Sequence, residues 1–241
     1  MSPKASICIA THNKRDTLYK VLDSIFKQTV PFAFEVVVCD DGGSDGTRDV
    51  TNEFRLDYDL TYLRTETSTY RNPSFARNQT MRYASGEVLI LQSDDVVHHT
   101  PNTVEKLVNE LYPNTYNIAT VNNQYADGTV GDPYTGLENR RPYFFLGSVL
   151  REHAYAVGGN DEEFAEPGYD DNWFACCLHR GLGLEVNYRP DIVGYHQDHP
   201  RPAPVSDRMH DLFWHKYNAA ERGAHHWMAA AGPWEFTLNE G

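Results

Sequence analysis

Three polar clusters stand out because each closes an apolar run: Thr11-His12-Asn13 after ASICIA, Asp40-Asp41 after FEVVVC, and Gln92-Ser93-Asp94-Asp95 after VLIL. Farther along, Asp170-Asp171 sits in GYDDNWF and His196 in GYHQDH. An ionised carboxylate only accepts hydrogen bonds, so it suits recognition of a ligand's N–H and O–H groups. A positioned carboxylate can also take a proton from a hydroxyl. An isolated acidic turn does neither: it solvates a strand end or caps the next helix. Clusters at three successive strand ends favour ligand binding, because ligands of open α/β sheets bind just beyond the carboxyl ends of the strands.

That argument requires strands alternating with helices. Residues 5–10, 34–39, 60–63 and 88–91 are short β-prone runs. Residues 16–27 place Leu18, Val21, Leu22, Ile25 and Phe26 at helical spacing, and further helices are expected over 46–54 and 74–84. The alternation predicts βαβ units and a mainly parallel sheet flanked by helices. Beyond residue 125, ADGTVGDPYTGLENRRP reads as a surface loop or hairpin of the kind that shapes a substrate cleft. Helices follow around 148–157 and 171–180, strands at 184–188 and 192–195, a break at PRPAP (200–204), and a terminal helix over 206–222.

Length and composition bound the function. A chain of 241 residues suits one full domain, or one with an appendage. The formal net charge of −13 excludes a sequence-independent nucleic-acid binder, which needs a basic footprint to displace counterions. It leaves room for a nucleotide ligand, whose phosphates a metal ion can neutralise locally, and in an acidic chain a bridging cation would favour such binding. No run approaches the ~20 apolar residues of a membrane span, and the N-terminal apolar stretch is too short and interrupted for a signal peptide. Cys8 and Cys39 lie in strand-like runs and Cys176-Cys177 in a helix-like one, so reduced thiols in a cytoplasmic compartment are expected.

Taken in order, ICIATHNK, VVVCDDGGSDGT, NPSFARNQTMRYASGEVLILQSDD, GGNDEEF and GYDDNWF resemble the successive signatures of glycosyltransferase family 2. The resemblance spans roughly residues 5 to 200 and implies a GT-A, Rossmann-like nucleotide-diphospho-sugar transferase fold. It also implies a nucleotide-sugar donor, most simply UDP-linked, Mn²⁺ or Mg²⁺, and transfer to a saccharide or other hydroxyl acceptor with inversion.

The same resemblance assigns residues. Thr11 and Asn13 lie against the nucleotide base, and Asp40 or Asp41 accepts from uracil or ribose. Arg77 either approaches the donor phosphates or holds an acid of the site, with Arg71 a second candidate there. The family's acidic motif at the fourth strand begins here with a neutral residue, Gln92, which is a departure. Asp94 is the expected metal ligand, Asp95 joins it or orients a water, and Gln92 and Ser93 contact the donor or the metal's water shell. His196 is the downstream third ligand, with His199 as fallback, and imidazole tilts the preference toward Mn²⁺. Asp171, with Asp170 second, is the catalytic base; at a helix N-terminus its pKa is expected to be low.

The remaining residues are less specific. The Gly158–Phe164 turn is architectural, and Trp173, Tyr143, Phe144 and Phe145 either stack on sugar or pack in the core. The expected organisation is a transferase domain over 1–202, with a nucleotide-binding half (1–122) and an acceptor half (123–202). A helical extension over 203–241 caps the cleft, packs on the domain or joins subunits. Two rival functions share the architecture. One is a catalytically degenerate nucleotide-sugar-binding module, suggested by Gln92. The other is a sugar-nucleotide pyrophosphorylase, against which ATHNKRD counts because it lacks a glycine-rich phosphate loop.

Overall fold

Aliphatic and β-branched runs buried on both faces are what parallel strands covered by helices require. Strands β1 (Ala5–Thr11), β2 (Phe34–Asp40) and β4 (Val88–Ser93) are buried along almost their whole length. The structure, a computed structural model, describes residues 3–66, 71–199 and 204–235. Most of the expected PRPAP break, and the expected domain boundary after residue 202, lie outside the described residues.

Helices α1 (Arg15–Phe26), α2 (Thr47–Phe54) and α3 (Ser74–Tyr83) alternate with β1, β2, β3 (Leu60–Arg64) and β4, as the periodicity predicts. The described sheet has nine strands in the order β3-β2-β1-β4-β8-β6-β9-β5, with β7 (Val130–Thr135) paired to β6. Here β5 is Val96–His98, β6 Thr115–Gln124, β8 Leu146–Leu150 and β9 Glu185–Gln197. Strands β1–β4, β6 and β9 run in one direction; β5, β7 and β8 oppose them.

The period of two sorts the strand side chains to two cores. Ile7, Ile9, Val36, Val38 and Ile90 meet Leu18, Val21, Leu22 and Ile25 of α1, together with Val104 and Leu107 of α4 (Thr103–Asn109). Cys8, Leu89 and Leu91 face the other way, toward Met81 of α3 and the aromatic cluster Phe164, Trp173 and Phe174. Trp173 and Phe174 belong to α6 (Asp170–Cys176), which continues as a π-helical turn over Cys177–Gly181. Helix α7 (Asp207–Glu221) joins this second core through Met209, Phe213 and Ala220. Helix α7 therefore packs on the main body. All four cysteines are free thiols, and no helix among the described residues is long and apolar enough to cross a membrane.

Five elements differ from the sequence reading. Residues 148–150 are strand, not the start of a helix; α5 (Arg151–Ala156) begins only afterwards. Leu146–Leu150 lies antiparallel between β4 and β6, a tertiary pairing that local propensity does not reveal. The two strands expected at 184–188 and 192–195 form one long strand, β9. Its register jumps where Arg189 pairs with Ala119 and Val193 with Thr120, and Pro190, which cannot donate to a ladder, falls in that irregularity. The segments β5, α4 and β6 were not anticipated as elements.

Strand β8 fits because Gly147 has no side chain: a Cβ there would lie 2.5 Å from the Asn117 carbonyl oxygen and 3.0 Å from the Phe144 ring. Overfilling such a site costs about 1–3 kcal/mol. Gly147→Ala is therefore expected to lower unfolding free energy by about that much in urea titration. An unchanged midpoint would mean that β8 and β6 can separate freely.

Candidate active site

The loops after β1, β2 and β4 converge on a cavity of about 400 Å³ lined by Thr11, Asn13, Lys14, Asp41, Arg71 and Asp94, among others. Asn13 holds a left-handed backbone (φ 53°), a conformation asparagine tolerates better than most residues. Its Oδ1 accepts from the Ser44 amide at 2.7 Å, while His12 Nδ1 contacts the Asp41 carbonyl at 2.8 Å. The first loop is thus tied to the second.

The structure separates the two acids that sequence left as alternatives. Asp40 accepts from the Gly43 amide and the Tyr62 hydroxyl, each at 2.7 Å, and does not line the cavity. It is a turn residue. Asp41 does line it, gripped by the Arg71 fork at 2.8 and 2.7 Å and by the Thr65 hydroxyl at 2.6 Å. Burial opposes the Asp41 charge, but these donors outweigh it and hold the carboxyl below its usual pKa. Arg71 in turn lies over the Phe75 ring at 3.9 Å.

The β4–β5 turn carries Asp94 and Asp95, both largely buried. Strand β5 pairs antiparallel with β9, which sets Val96 opposite His196. Asp95 therefore meets His199 Nε2 at 2.8 Å and Lys14 Nζ at 3.5 Å through Oδ2, and His196 Nε2 at 3.5 Å through Oδ1. Ligand atoms of Asp95, His196 and His199 all lie within 4.8 Å of one another. Asp94, first choice from sequence, is not part of this group; Asp95 and the fallback His199 are. Asp95 Oδ1 is buried and accepts no hydrogen bond among the described residues, as an oxygen reserved for a cation would be. One carboxylate oxygen with two imidazoles fits a borderline cation such as Mn²⁺ better than Mg²⁺.

The two neighbouring acids are driven apart. Burial and then the Asp95 charge raise the Asp94 pKa well above the carboxylate range. At Asp95 burial acts the same way, but His199, His196 and Lys14 overcome it and hold the group ionised.

A second cavity, of about 430 Å³, adjoins the first and shares Pro73, Arg77, Asp95, Phe145 and His199 with it. Asp170 and Asp171 line only the second. Arg77 Nη1 reaches Asp170 at 2.9 Å and Asp171 at 3.0 Å, so of its two expected roles it holds the acids. Tyr169, just before them, has φ 66°, which turns the chain into α6. Contrary to the expectation from the helix terminus, burial raises the Asp171 pKa to about 6; Arg77 opposes this and Asp170 adds to it.

Other assignments shift as well. Gln92 has both ends of its amide engaged inside the protein, with Val96 and His98, although it borders the first cavity. Ser93 lines the first cavity. Of the aromatic candidates, Trp173 and Phe144 are core, whereas Tyr143 and Phe145 line the second cavity with Tyr134. Lys14, Tyr134 and Arg141 were not anticipated. Lys14 directly follows the Thr11–Asn13 element, which was a usable signal; Tyr134 and Arg141 sit in the turn-rich segment, which offered none.

Residues 6–159 match the family model described as Glycosyl transferase family 2. An uncharacterized glycosyltransferase, YfnE of Bacillus subtilis, is 26% identical over 82% of this chain, which spans 65% of that relative's length. The mannosyltransferase PcManGT from Pyrobaculum calidifontis, solved with GDP-Man and Mn²⁺, superposes with a TM-score of 0.64 at 20% identity, over 84% of this chain and 59% of that one. S. aureus TarS 1–349 in complex with UDP-GlcNAc superposes at 0.66, also at 20% identity, covering 90% of this chain and 66% of that one. These likenesses establish the GT-A fold. The order of strands, the loops gathered at their carboxyl ends and the family match together place this chain in glycosyltransferase family 2.

Proposed function

We propose that this chain transfers a sugar from a nucleotide-diphospho donor, most simply UDP-linked, to an acceptor hydroxyl with inversion, and that it uses Mn²⁺ or Mg²⁺ to do so. One observation carries the reading: two cavities meet along Asp95, His199 and Arg77, and the carboxylate pair Asp170-Asp171 belongs to one of them alone. A transferase needs that division, with the donor on one side, the acceptor and its base on the other, and the leaving group between. TarS and PcManGT, with their nucleotide sugars, lend support by analogy of fold.

The first cavity suits the nucleotide. Thr11 and Asn13 present polar groups on a braced loop, and Asp41, charged and fixed by Arg71, offers a hydrogen-bond acceptor face. Lys14, Arg71 and Arg77 are each already matched to a carboxylate, so the cavity holds little uncompensated positive charge for a diphosphate. A divalent cation held by Asp95, His196 and His199 would supply it, offsetting charge that builds on the leaving diphosphate.

In the second cavity Tyr134 and Tyr143 offer faces for a sugar acceptor, and Asp171 removes the proton from its attacking hydroxyl. Attack from the side opposite the diphosphate inverts the anomeric centre. Asp171 suits this role better than Asp170 because it is less deeply enclosed, and burial raises its pKa to about 6. A carboxylate with a raised pKa is a stronger base.

Donor hydrolysis by the purified protein tests the whole reading. Turnover is expected with Mn²⁺, loss with EDTA, and recovery on adding metal back; a binding module would bind UDP and leave the donor intact. Asp171→Asn is expected to lower kcat by about 10²–10⁴-fold while UDP affinity measured by calorimetry holds. Unchanged turnover would move the base elsewhere.

The pH dependence follows from the same group. A base must be deprotonated, so kcat/KM is expected to fall as pH drops through about 6, the raised Asp171 value. A profile flat down to pH 5 would remove Asp171 from the role.

A further inference from the structure

At the position where the family's acidic motif begins, this chain carries Gln92, and its amide is enclosed within the fold. Gln92 Nε2 donates to the Val96 carbonyl at 2.8 Å, spanning the turn that holds Ser93, Asp94 and Asp95. Gln92 Oε1 lies 2.8 Å from His98 Nε2, and His98 Nδ1 lies 2.6 Å from Gln28 Nε2. The partners fix the proton: an amide N–H donates to Nδ1, so Nε2 carries the hydrogen and donates to Gln92. Gln28 Oε1 accepts from the Val104 amide at 3.1 Å at the start of α4, and the His98 amide donates to Ser24 Oγ of α1 at 3.1 Å. Every polar atom of the two amides and the imidazole has a partner, with donors and acceptors in matched order.

Val96 is the point on which this network acts. It follows Asp95 directly and faces His196 across the β5–β9 ladder, where the Gln197 amide donates to the Asp95 carbonyl at 2.8 Å. Fixing the Val96 carbonyl therefore fixes two of the three side chains that cluster at the cation site. We infer that Gln92, His98 and Gln28 form a positioning brace for the Asp95–His196–His199 site, and that residue 92 acts through the Val96 carbonyl rather than as a ligand. This rests on the metal reading above.

Burial supports the assignment, since it pushes the His98 pKa down to about 3 and keeps the ring neutral, the form the brace needs. A glutamine also fits, since its neutral amide donates to a carbonyl and accepts from an N–H at once. Glutamate keeps the shape and accepts from His98, but it cannot donate to Val96 when ionised.

Gln92→Glu decides between brace and ligand because the two roles give opposite signs. If residue 92 were a ligand or shaped the charge of the site, the added carboxylate would tighten Mn²⁺ binding. The brace predicts weaker binding. Outer partners that orient ligands typically change metal affinity by about 10–100-fold, so Gln92→Leu and Gln92→Glu are both expected to raise the Mn²⁺ Kd by about that factor in titration calorimetry. His98→Gln, which retains a donor toward Gln92, is expected to retain most of the affinity that His98→Phe loses. An unchanged Kd in Gln92→Leu, or equal or tighter binding by Gln92→Glu at a pH high enough to ionise its buried carboxyl, would overturn the brace.

A wild-type chain that bound no Mn²⁺ would defeat the metal reading instead. The hydrogen-bond order is then still decided by ¹⁵N spectra of the wild-type protein: His98 is expected as the Nε2–H tautomer, and an Nδ1–H tautomer would overturn the assignment. That measurement also stands if any variant fails to fold.

Discussion

Strand β5 contains only Val96, Val97 and His98, yet its antiparallel pairing with β9 creates the site. About a hundred residues separate Asp95 from His196, and a register opposing Val96 to His196 closes that gap. Because side chains alternate along a strand, a slip of one residue would turn His196 away. The register is held from both sides. The ladder from β6 to β9 continues to Asn123 opposite His196, and the irregularity near Pro190 sets its phase. Around the imidazole, Tyr134 stacks at 5.4 Å between ring centres and Phe145 meets it edge-on at 5.8 Å. The histidine is thus fixed by pairing in one direction and by aromatic packing in the others.

Electrostatics then decides which acids can serve. Adjacent buried carboxylates cannot both be ionised cheaply, and at Asp94-Asp95 the structure resolves the conflict by uneven compensation. Asp95 receives His199, His196 and Lys14 and stays charged; Asp94 is left with burial and its neighbour's charge, which raise its pKa. Asp170 and Asp171 share one guanidinium, that of Arg77, and Asp171 keeps a raised pKa despite it. The chain thereby separates a carboxylate suited to a cation from one suited to a proton. Breaking any of these partners would leave an uncompensated buried charge, which is costly.

How far the sequence could be read follows from which of these constraints are local. The βαβ half was legible because apolar runs and helical spacing are local signals, and β1, α1, β2, α2, β3, α3 and β4 fall within a residue or two of expectation. Residues 148–150, the end of β8, read as the start of a helix because nothing in SVL signals a turn before Arg151; only the insertion of β8 between β4 and β6 makes them strand. The site followed the same rule. The candidate acids stand out in the sequence by their places at strand ends, but that Asp41 rather than Asp40 lines the cavity, and that Asp95 meets His199, depends on tertiary partners that no spacing reveals. The Asp171 pKa went the opposite way from the helix-terminus argument because burial, a tertiary quantity, outweighed it.

Backbone strain is distributed with the same logic. Among the described residues, the non-glycine residues with positive φ are Asn13, Arg140 and Tyr169. Asn13 lines the first cavity, Tyr169 the second, and Arg140 precedes Arg141 of the second. Left-handed backbone costs a tyrosine more than an asparagine, on the order of 1–3 kcal/mol, and persists only where surroundings enforce it. For Tyr169 the enforcement comes from α7: Phe213 lies 5.4 Å from its ring centre and His210 5.3 Å. Lys216 of the same helix pairs with the nearly inaccessible Asp161 at 2.9 Å and also with Glu163, anchoring α7 on the turn that leads to Tyr169. The C-terminal helix thus does more than cover apolar surface. It clamps the one residue whose strained backbone sets Asp170 and Asp171 together in the first turn of α6, opposite Arg77.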